Sequence, residues 1–208
     1  MRKLPWVSIG IVFSVVTIST TQYACNQSSP TTTAETAPAP KVMSQADLVS
    51  RGKYLITAGS CSDCHAPKIF TAAGPIPDTT KYLSGHPAAS PNLPIDKKVL
   101  VPGGWMLIGP DMTSFAGPFG ASYAANLTPD TATGIGAWTE DVFIKTLRTG
   151  KHLGQEGGRP ILPPMPWPSV AKYTDEDLKA MFAYLQSQPP ISNKVPPPLS
   201  PADISKMK

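Results

Sequence analysis

Apolar side chains recur every three to four residues in the stretch after Ser44, which is the spacing of one face of a helix. Ser44 and Asp47 stand where a capping box closes the first helical turn, with aspartate in place of glutamate. Gly59 is a typical helix stop. The pattern therefore predicts a helix that begins after Ser44 and ends at Gly59. Its apolar face consists of Leu48, Gly52, Leu55 and Ile56.

Two further helices are predicted in the second half of the chain. One covers residues 139–149, with Gly150 as its stop. The other begins at Thr174, a typical N-cap, and three acidic residues follow where they favour the positive end of the helix dipole. Pro189 and Pro190 end it. The apolar faces consist of Phe143 and Leu147 in the first helix and of Leu178, Met181, Phe182 and Leu185 in the second.

No segment shows a convincing pattern of strand pairing. Residues 99–101 form a short β-prone run, but Pro102 follows directly. The 25 prolines and 16 glycines of the chain imply long loops. The sequence therefore predicts an all-α domain of three or more helices with extensive coil.

The N-terminus resembles an export signal. Arg2 and Lys3 form a positive start, residues 6–18 form an apolar run too short for a comfortable membrane span, and a polar stretch precedes Cys25. We therefore expect a signal peptide over residues 1–24 of the lipoprotein type, with Cys25 as the lipidated residue and location on the periplasmic side of a membrane. An uncleaved helical anchor and release as a soluble protein remain alternatives.

The match to a lipoprotein signal is imperfect, because Gln22 replaces the usual small aliphatic residue and Tyr23 is bulky. Residues 25–43 are dominated by serine, threonine, alanine and proline, a composition that cannot bury enough surface to fold. We expect a flexible linker there. The folded domain is predicted over residues 44–190, with a long insert at about 68–123, and residues 191–208 form a proline-rich tail.

Cys61, Cys64 and His65 form a C-x-x-C-H motif, which is typical of covalent haem attachment of the c type. The two thiols each add to a vinyl group of one porphyrin, and the histidine then lies under the iron. A zinc site would need a second ligand pair, and a thioredoxin-like pair would follow a strand. Neither context is present near the motif. The sequence thus predicts one haem c with His65 as its proximal ligand.

The order of helix, haem motif, loops and final helix resembles the class I c-type cytochromes, in which a glycine of the first helix lets an aromatic residue of the last approach closely. Gly52 and Tyr184 match those positions roughly. Within that class the chain resembles the cytochrome c domains associated with membrane-bound alcohol and aldehyde dehydrogenases, although those subunits commonly carry several haem motifs and this chain has one. The matching stretches, besides the haem motif, are residues 51–55 (RGKYL), 126–130 (NLTPD), 133–136 (TGIG), 138–139 (WT), 147–150 (LRTG) and 163–167 (PPMPW).

The resemblance implies a distal methionine on the loop before the last helix, and Met165 lies there between Pro164 and Pro166. His/Met ligation raises the reduction potential relative to bis-histidine ligation. Met106 and Met112 remain alternatives, as does a role for Met165 as a filler of the core. His86 and His152 are the rivals for bis-histidine ligation, and both are interpreted as surface residues. Four residues are candidates for the haem propionates: Arg148, Arg159, Trp105 and Trp138.

Charge adds little to this picture. The chain has 18 Lys and Arg against 14 Asp and Glu, and loss of a leader that contains Arg2 and Lys3 would leave 16 against 14. No run rich in lysine and arginine stands out, so we expect no nucleic-acid partner.

The sequence predicts single-electron transfer, as a membrane-tethered periplasmic carrier between a dehydrogenase or respiratory complex and an acceptor, with redox proteins as partners and no catalysis of its own. Alternatives are a haem subunit fixed in a larger oxidoreductase complex, and a haem enzyme or sensor with an open distal site.

Overall fold

The computed structural model describes residues 43–90 and 94–207. The predicted signal peptide, Cys25 and nearly all of the predicted linker lie outside the described residues. Within them, no helix is both long enough and apolar enough to cross a membrane.

All three helices predicted from periodicity are confirmed. Ser44 caps the first helix, where its hydroxyl accepts a hydrogen bond from the Asp47 backbone N–H at 3.2 Å and the Asp47 carboxylate accepts one from the Ser44 backbone N–H at 3.3 Å. Thr139 and Thr174 cap the other two. The helices of the described chain are α1 (Gln45–Ala58), α2 (Cys61–His65), α3 (Glu140–Thr149), α4 (Trp167–Val170), α5 (Asp175–Gln186) and α6 (Pro201–Lys206).

Helices α1 and α5 pack closely at Gly52. A Cβ atom at this position would overlap the carbonyl of Ala180 and lie 2.7 Å from the Cβ of Tyr184. Only glycine therefore permits this approach, as the resemblance implied. Beside it, Arg51 Nε donates to Asp177 Oδ1 at 2.6 Å. This pair fixes the rotation of one helix against the other.

The main hydrophobic core lies between α1, α3 and α5. Among the described residues its buried members are Leu55, Ile56, Leu83, Ile135, Phe143, Leu147, Leu178, Ala180, Met181, Tyr184 and Leu185. Met181 belongs to this core, as its place on the apolar face of the last helix indicated. The sequence thus identified most of the side chains that hold the helices together.

The prediction that no strands pair is wrong. In the described part of the chain, five short strands form two antiparallel sheets, one of two strands and one of three in the order β3-β4-β5. Register is set by pairs such as Ile69 with Ile76 and Phe115 with Ser122. The strands are β1 (Lys68–Thr71), β2 (Gly74–Pro77), β3 (Leu107–Ile108), β4 (Ser114–Gly117) and β5 (Gly120–Tyr123). They have two to four residues each, too few for a period-two pattern to be recognised.

The proline-rich tail packs against the predicted insert and contains the short helix α6. Ser200 caps α6 through a capping box with Asp203. Ile204 of this helix is buried with Ala116 and Ala121 in a second, smaller hydrophobic cluster. Strand β5 is joined to the tail by two backbone hydrogen bonds between Ala121 and Leu199, at 2.9 and 3.0 Å.

Candidate haem-binding site

The haem motif forms a helix of its own directly after α1. Ser60 adopts a left-handed conformation with φ 55° and ψ 31°, so the chain changes direction before α2 begins. Within α2 the side chains of Cys61 and Cys64 are three residues apart and follow one another on the same face. Both thiols are free and partly exposed. Burial raises the pKa of Cys61 to about 11 and also raises the pKa of Cys64.

His65 is the buried residue of the motif, and one backbone carbonyl fixes its orientation. Its Nδ1 lies 2.8 Å from the carbonyl oxygen of Ala125. A carbonyl only accepts hydrogen bonds, so Nδ1 carries the proton and Nε2 is the nitrogen with a free lone pair. Burial lowers the pKa of the imidazole, which favours this neutral form. Neutral imidazole with a fixed tautomer is the form in which histidine binds iron.

Lys68 holds the C-terminal end of α2. Its ammonium donates to the backbone carbonyls of Ser62, Asp63 and Ala66 at 2.8 to 2.9 Å. These carbonyls are at the negative end of a short helix, where a cation stabilises them. Burial lowers the pKa of Lys68. The lysine thus fixes the turn of chain from which the thiols and His65 project.

A polar turn over residues 126–136 follows the carbonyl that binds His65. Asn126 is buried, and its side-chain oxygen accepts from the backbone N–H and the hydroxyl of Thr128 at 3.0 and 2.7 Å. Asp130 accepts from the backbone N–H and hydroxyl of Thr133 at 2.7 and 2.6 Å. Residues 126–136 thus form a structured turn. Its hydrogen bonds hold Ala125 in position against His65.

Met165 packs against the same hydrophobic core as Cys61, and both side chains are partly buried. It lies between a cis peptide bond that joins Pro163 to Pro164 and the start of α4. The alternative ligands Met106 and Met112 lie in the insert with 39% and 37% of their surface exposed. Of the three candidates, Met165 is therefore the one that shares a cluster with the haem motif.

These residues fit a covalently attached haem. The structure supplies two free thiols on one helical face, a buried neutral imidazole with Nε2 available, and a thioether in the same cluster as one thiol. Within the described residues no group of three or more His, Cys, Asp and Glu side chains is arranged to hold a metal ion. Iron in a porphyrin needs only the two axial ligands from the protein.

No family model matches the chain. Its relatives include the gluconate 2-dehydrogenase cytochrome c subunit of Pantoea cypripedii, 35% identical over 66% of this chain and 22% of that protein. A nicotinate dehydrogenase subunit of Pseudomonas putida is 31% identical over 73% of this chain and 9% of its own length. The cytochrome c subunit of alcohol dehydrogenase (quinone) from Gluconobacter oxydans is 29% identical over 66% of this chain and 20% of that subunit.

The chain is a homologue of dehydrogenase cytochrome c subunits. The resemblance seen in the sequence motifs is thereby confirmed, and haem c is the cofactor that these relatives imply. The chain spans about a fifth or less of the length of the relatives named above.

The interpretation of His86 as a surface residue is wrong for this cytochrome homologue. Only 6% of its surface is exposed. Its Nδ1 lies 2.7 Å from the hydroxyl of Thr113, and its ring lies 4.9 Å from that of Tyr123, measured between centroids. No periodic pattern surrounds His86 in the sequence. Its side chain contacts Thr113 and Tyr123, and its carbonyl accepts from Asn193 of the tail, all of them remote in the chain. His152 is partly exposed and lies edge-on to Trp138.

The four candidate propionate partners differ in their exposure and in the groups that they contact. Arg148 binds Asp175 at 2.5 Å and also the carbonyl of Ala171, so it joins α3 to the start of α5. Trp105 is 88% exposed, whereas Trp138 packs against the main core. Arg159 is exposed and lies near His152. Arg148 thus has a structural role that accounts for its position.

Sequence reasoning missed two residues that position the motif. Ala125 acts through its carbonyl, which no side-chain pattern can reveal. Lys68 could have been found, because a lysine just after a short helix is well placed to bind its last carbonyls. The C-x-x-C-H motif predicted His65 as a ligand. The structure adds the Ala125 carbonyl that orients this side chain and the lysine that holds its helix.

Proposed function

We propose that this protein transfers single electrons through one haem c attached to Cys61 and Cys64. His65 and Met165 are the axial ligands in this proposal. The observation that carries it is the 2.8 Å hydrogen bond from His65 Nδ1 to the Ala125 carbonyl, within a C-x-x-C-H helix. That bond leaves Nε2 as the ligating nitrogen in a chain related to cytochrome c subunits.

The haem supplies the one-electron ferric and ferrous states. The chain's own residues hold it in three ways. Cys61 and Cys64 fix the porphyrin to α2, and Lys68 keeps the end of that helix closed. Burial lowers the pKa of His65, which favours the neutral imidazole that binds iron. Met165, on the loop before α4, would supply the second protein ligand of the iron and so exclude other ligands.

We further propose that the donor or acceptor is a dehydrogenase, because the relatives are named as subunits of gluconate, alcohol and fructose dehydrogenases. A periplasmic location and a lipid on Cys25 are supported by the export-like start of the sequence. Residues 25–43 would then act as a flexible tether between membrane and domain. Replacement Cys25→Ala tests the anchor, since it should move the protein from the membrane fraction to the soluble fraction.

The distal ligand is tested by absorption spectroscopy of the oxidised, haem-loaded protein. We expect a methionine-to-ferric charge-transfer band in the wild type, its loss in Met165→Ala, and its retention in the matched variants Met106→Ala and Met112→Ala. Persistence of the band in Met165→Ala would reject the assignment. Loss of it in Met106→Ala or Met112→Ala alone would move the ligand to the insert.

Carbon monoxide separates electron transfer from an open distal site. The reduced wild type should respond weakly to the gas because Met165 occupies the position, and reduced Met165→Ala should respond strongly. A strong response in the wild type would indicate a haem enzyme or sensor instead of a carrier.

Exposed apolar side chains in the insert favour a second candidate, a haem subunit fixed in a larger oxidoreductase complex. Trp105 is 88% exposed, and Leu107 and Ile108 are exposed beside it. Such groups often mark protein interfaces. Size-exclusion chromatography of the native protein decides between the two candidates. A single chain with one haem supports the carrier, whereas co-elution with a dehydrogenase that is lost in Trp105→Ser supports the fixed subunit.

A further inference from the structure

A cavity of about 340 Å³ lies in the sheet region. Strands β3, β4 and β5 form much of its wall, and the chain just before Lys97 closes another side. The walls are mostly apolar, with Ile95, Leu107, Ile108 and Phe115 among them. Its volume falls in the range of small-molecule sites, which combine apolar walls with few polar groups.

His86 is the buried polar residue of this wall. Its Nδ1 lies 2.7 Å from Thr113 Oγ1, and Thr113 Oγ1 lies 2.8 Å from a carboxylate oxygen of Asp111. A carboxylate accepts hydrogen bonds, so the single hydroxyl proton of Thr113 goes to Asp111. The hydroxyl oxygen must then accept from His86. Nδ1 therefore carries a proton in this arrangement.

The second ring nitrogen of His86 is left as a hydrogen-bond acceptor. Burial lowers the pKa of His86, while the charge of Asp111 opposes this change. In the resulting neutral imidazole, with its proton on Nδ1, Nε2 has a free lone pair. Within the described residues Nε2 has no hydrogen-bond partner, and no fully buried side-chain nitrogen or oxygen there lacks one. Because His86 lines the cavity, Nε2 is the acceptor of this ring that remains for a ligand there.

The ring of Tyr123 stacks at a tilt on that of His86 and forms part of the same wall. Aromatic and aliphatic groups thus surround one acceptor. A matching ligand has a flat apolar body and one group that donates a hydrogen bond. We propose that this cavity binds a small hydroxylated aromatic molecule, whose hydroxyl donates to Nε2 of His86.

The proposal is tested by equilibrium dialysis of the haem-loaded protein against 2-naphthol and 2-methoxynaphthalene. The two probes have similar apolar bodies, but the methyl ether cannot donate a hydrogen bond. We expect 2-naphthol to bind about tenfold more tightly, the ratio that one hydrogen bond provides. Equal affinity of the two probes, or no binding of either, would overturn the proposal.

Two variants locate the binding site. His86→Leu should abolish the preference for 2-naphthol, whereas the matched control His152→Leu should keep it, because His152 does not line the cavity. Thr113→Val retains the imidazole but removes the group that fixes its proton on Nδ1, so the preference should fall several-fold. The haem spectrum of each variant shows that the domain still folds. Retention of the full preference in His86→Leu, or its loss in His152→Leu, would contradict the assignment.

Discussion

The helical core and the region formed by sheet β3-β4-β5 with the tail differ in what holds them together. Among the residues that the structure describes, eleven buried apolar residues pack between the helices, whereas three form the cluster in the sheet-and-tail region. In the sheet-and-tail region, hydrogen bonds between polar groups hold many of the segments together. The side-chain amide of Asn193 in the tail donates to the carbonyls of Ser84 and His86 at 2.7 and 2.9 Å.

This difference has a functional meaning. The haem motif lies on the densely packed side, where axial ligands must keep their geometry within narrow limits. The proposed small-molecule cavity lies on the loosely packed side, where space remains between short strands. A region joined by hydrogen bonds and few apolar contacts opens at lower free energy than a packed core.

The largest loss of stability is expected from a substitution at Gly52. In Gly52→Ala the new Cβ would overlap the Ala180 carbonyl, a backbone atom that cannot turn away. We expect the free energy of unfolding to fall by about 3 kcal/mol or more, as measured by denaturant titration. Gly157→Ala is the control, since open space surrounds that position, and it should change stability by less than about 0.5 kcal/mol. Equal losses of stability in Gly52→Ala and Gly157→Ala would show that α1 and α5 do not pack as described.

A pair of matched truncations compares the two regions directly. Leu178 lies in the main core and Ile204 in the small cluster, and both are almost fully buried. Each change to alanine should cost about 2–5 kcal/mol locally. Hydrogen exchange measured by mass spectrometry should show that Leu178→Ala affects the whole domain, whereas Ile204→Ala accelerates exchange mainly in β4, β5 and α6. Equal acceleration in α1 and α5 would mean that the two regions unfold as one unit.

The smallest loss of stability is expected on removal of the Asn193 side-chain amide, which joins the tail to Ser84 and His86. Asn193→Ala leaves two partly buried carbonyls without their donor, which should cost about 1–3 kcal/mol. The loss should appear as faster exchange in the tail and an unchanged haem spectrum. Ser192→Ala, at an exposed neighbouring position, is the control. A changed haem spectrum in Asn193→Ala would show that the tail also supports the haem site.

The sequence predicted the helical core well because its signals are local. The caps at Ser44, Thr139 and Thr174 and the spacing of apolar residues lie within each helix. The C-x-x-C-H motif is local in the same sense. The sheets were missed because strands of two to four residues carry no readable alternation, and because β5 is completed by Leu199, far along the chain.

The same distinction between local signals and long-range contacts applies to the candidate site. Cys61, Cys64 and His65 follow from one pentapeptide, and the Met165 ligand stays a prediction supported by its place in the core. The partners of His65 and His86 could not be predicted. Both depend on contacts across long separations, and one of them is a backbone carbonyl.

The pairing of α1 with α5 also has a consequence for the order of maturation. Arg51 and Asp177 are 126 residues apart, so a chain that emerges from its N-terminus presents Cys61 and Cys64 long before α5 exists to pack on α1. The folded domain partly buries both thiols. If haem is attached at these thiols as proposed, attachment before α5 packs would meet them in a more accessible state than in the finished fold, and α5 would then close the domain around the haem.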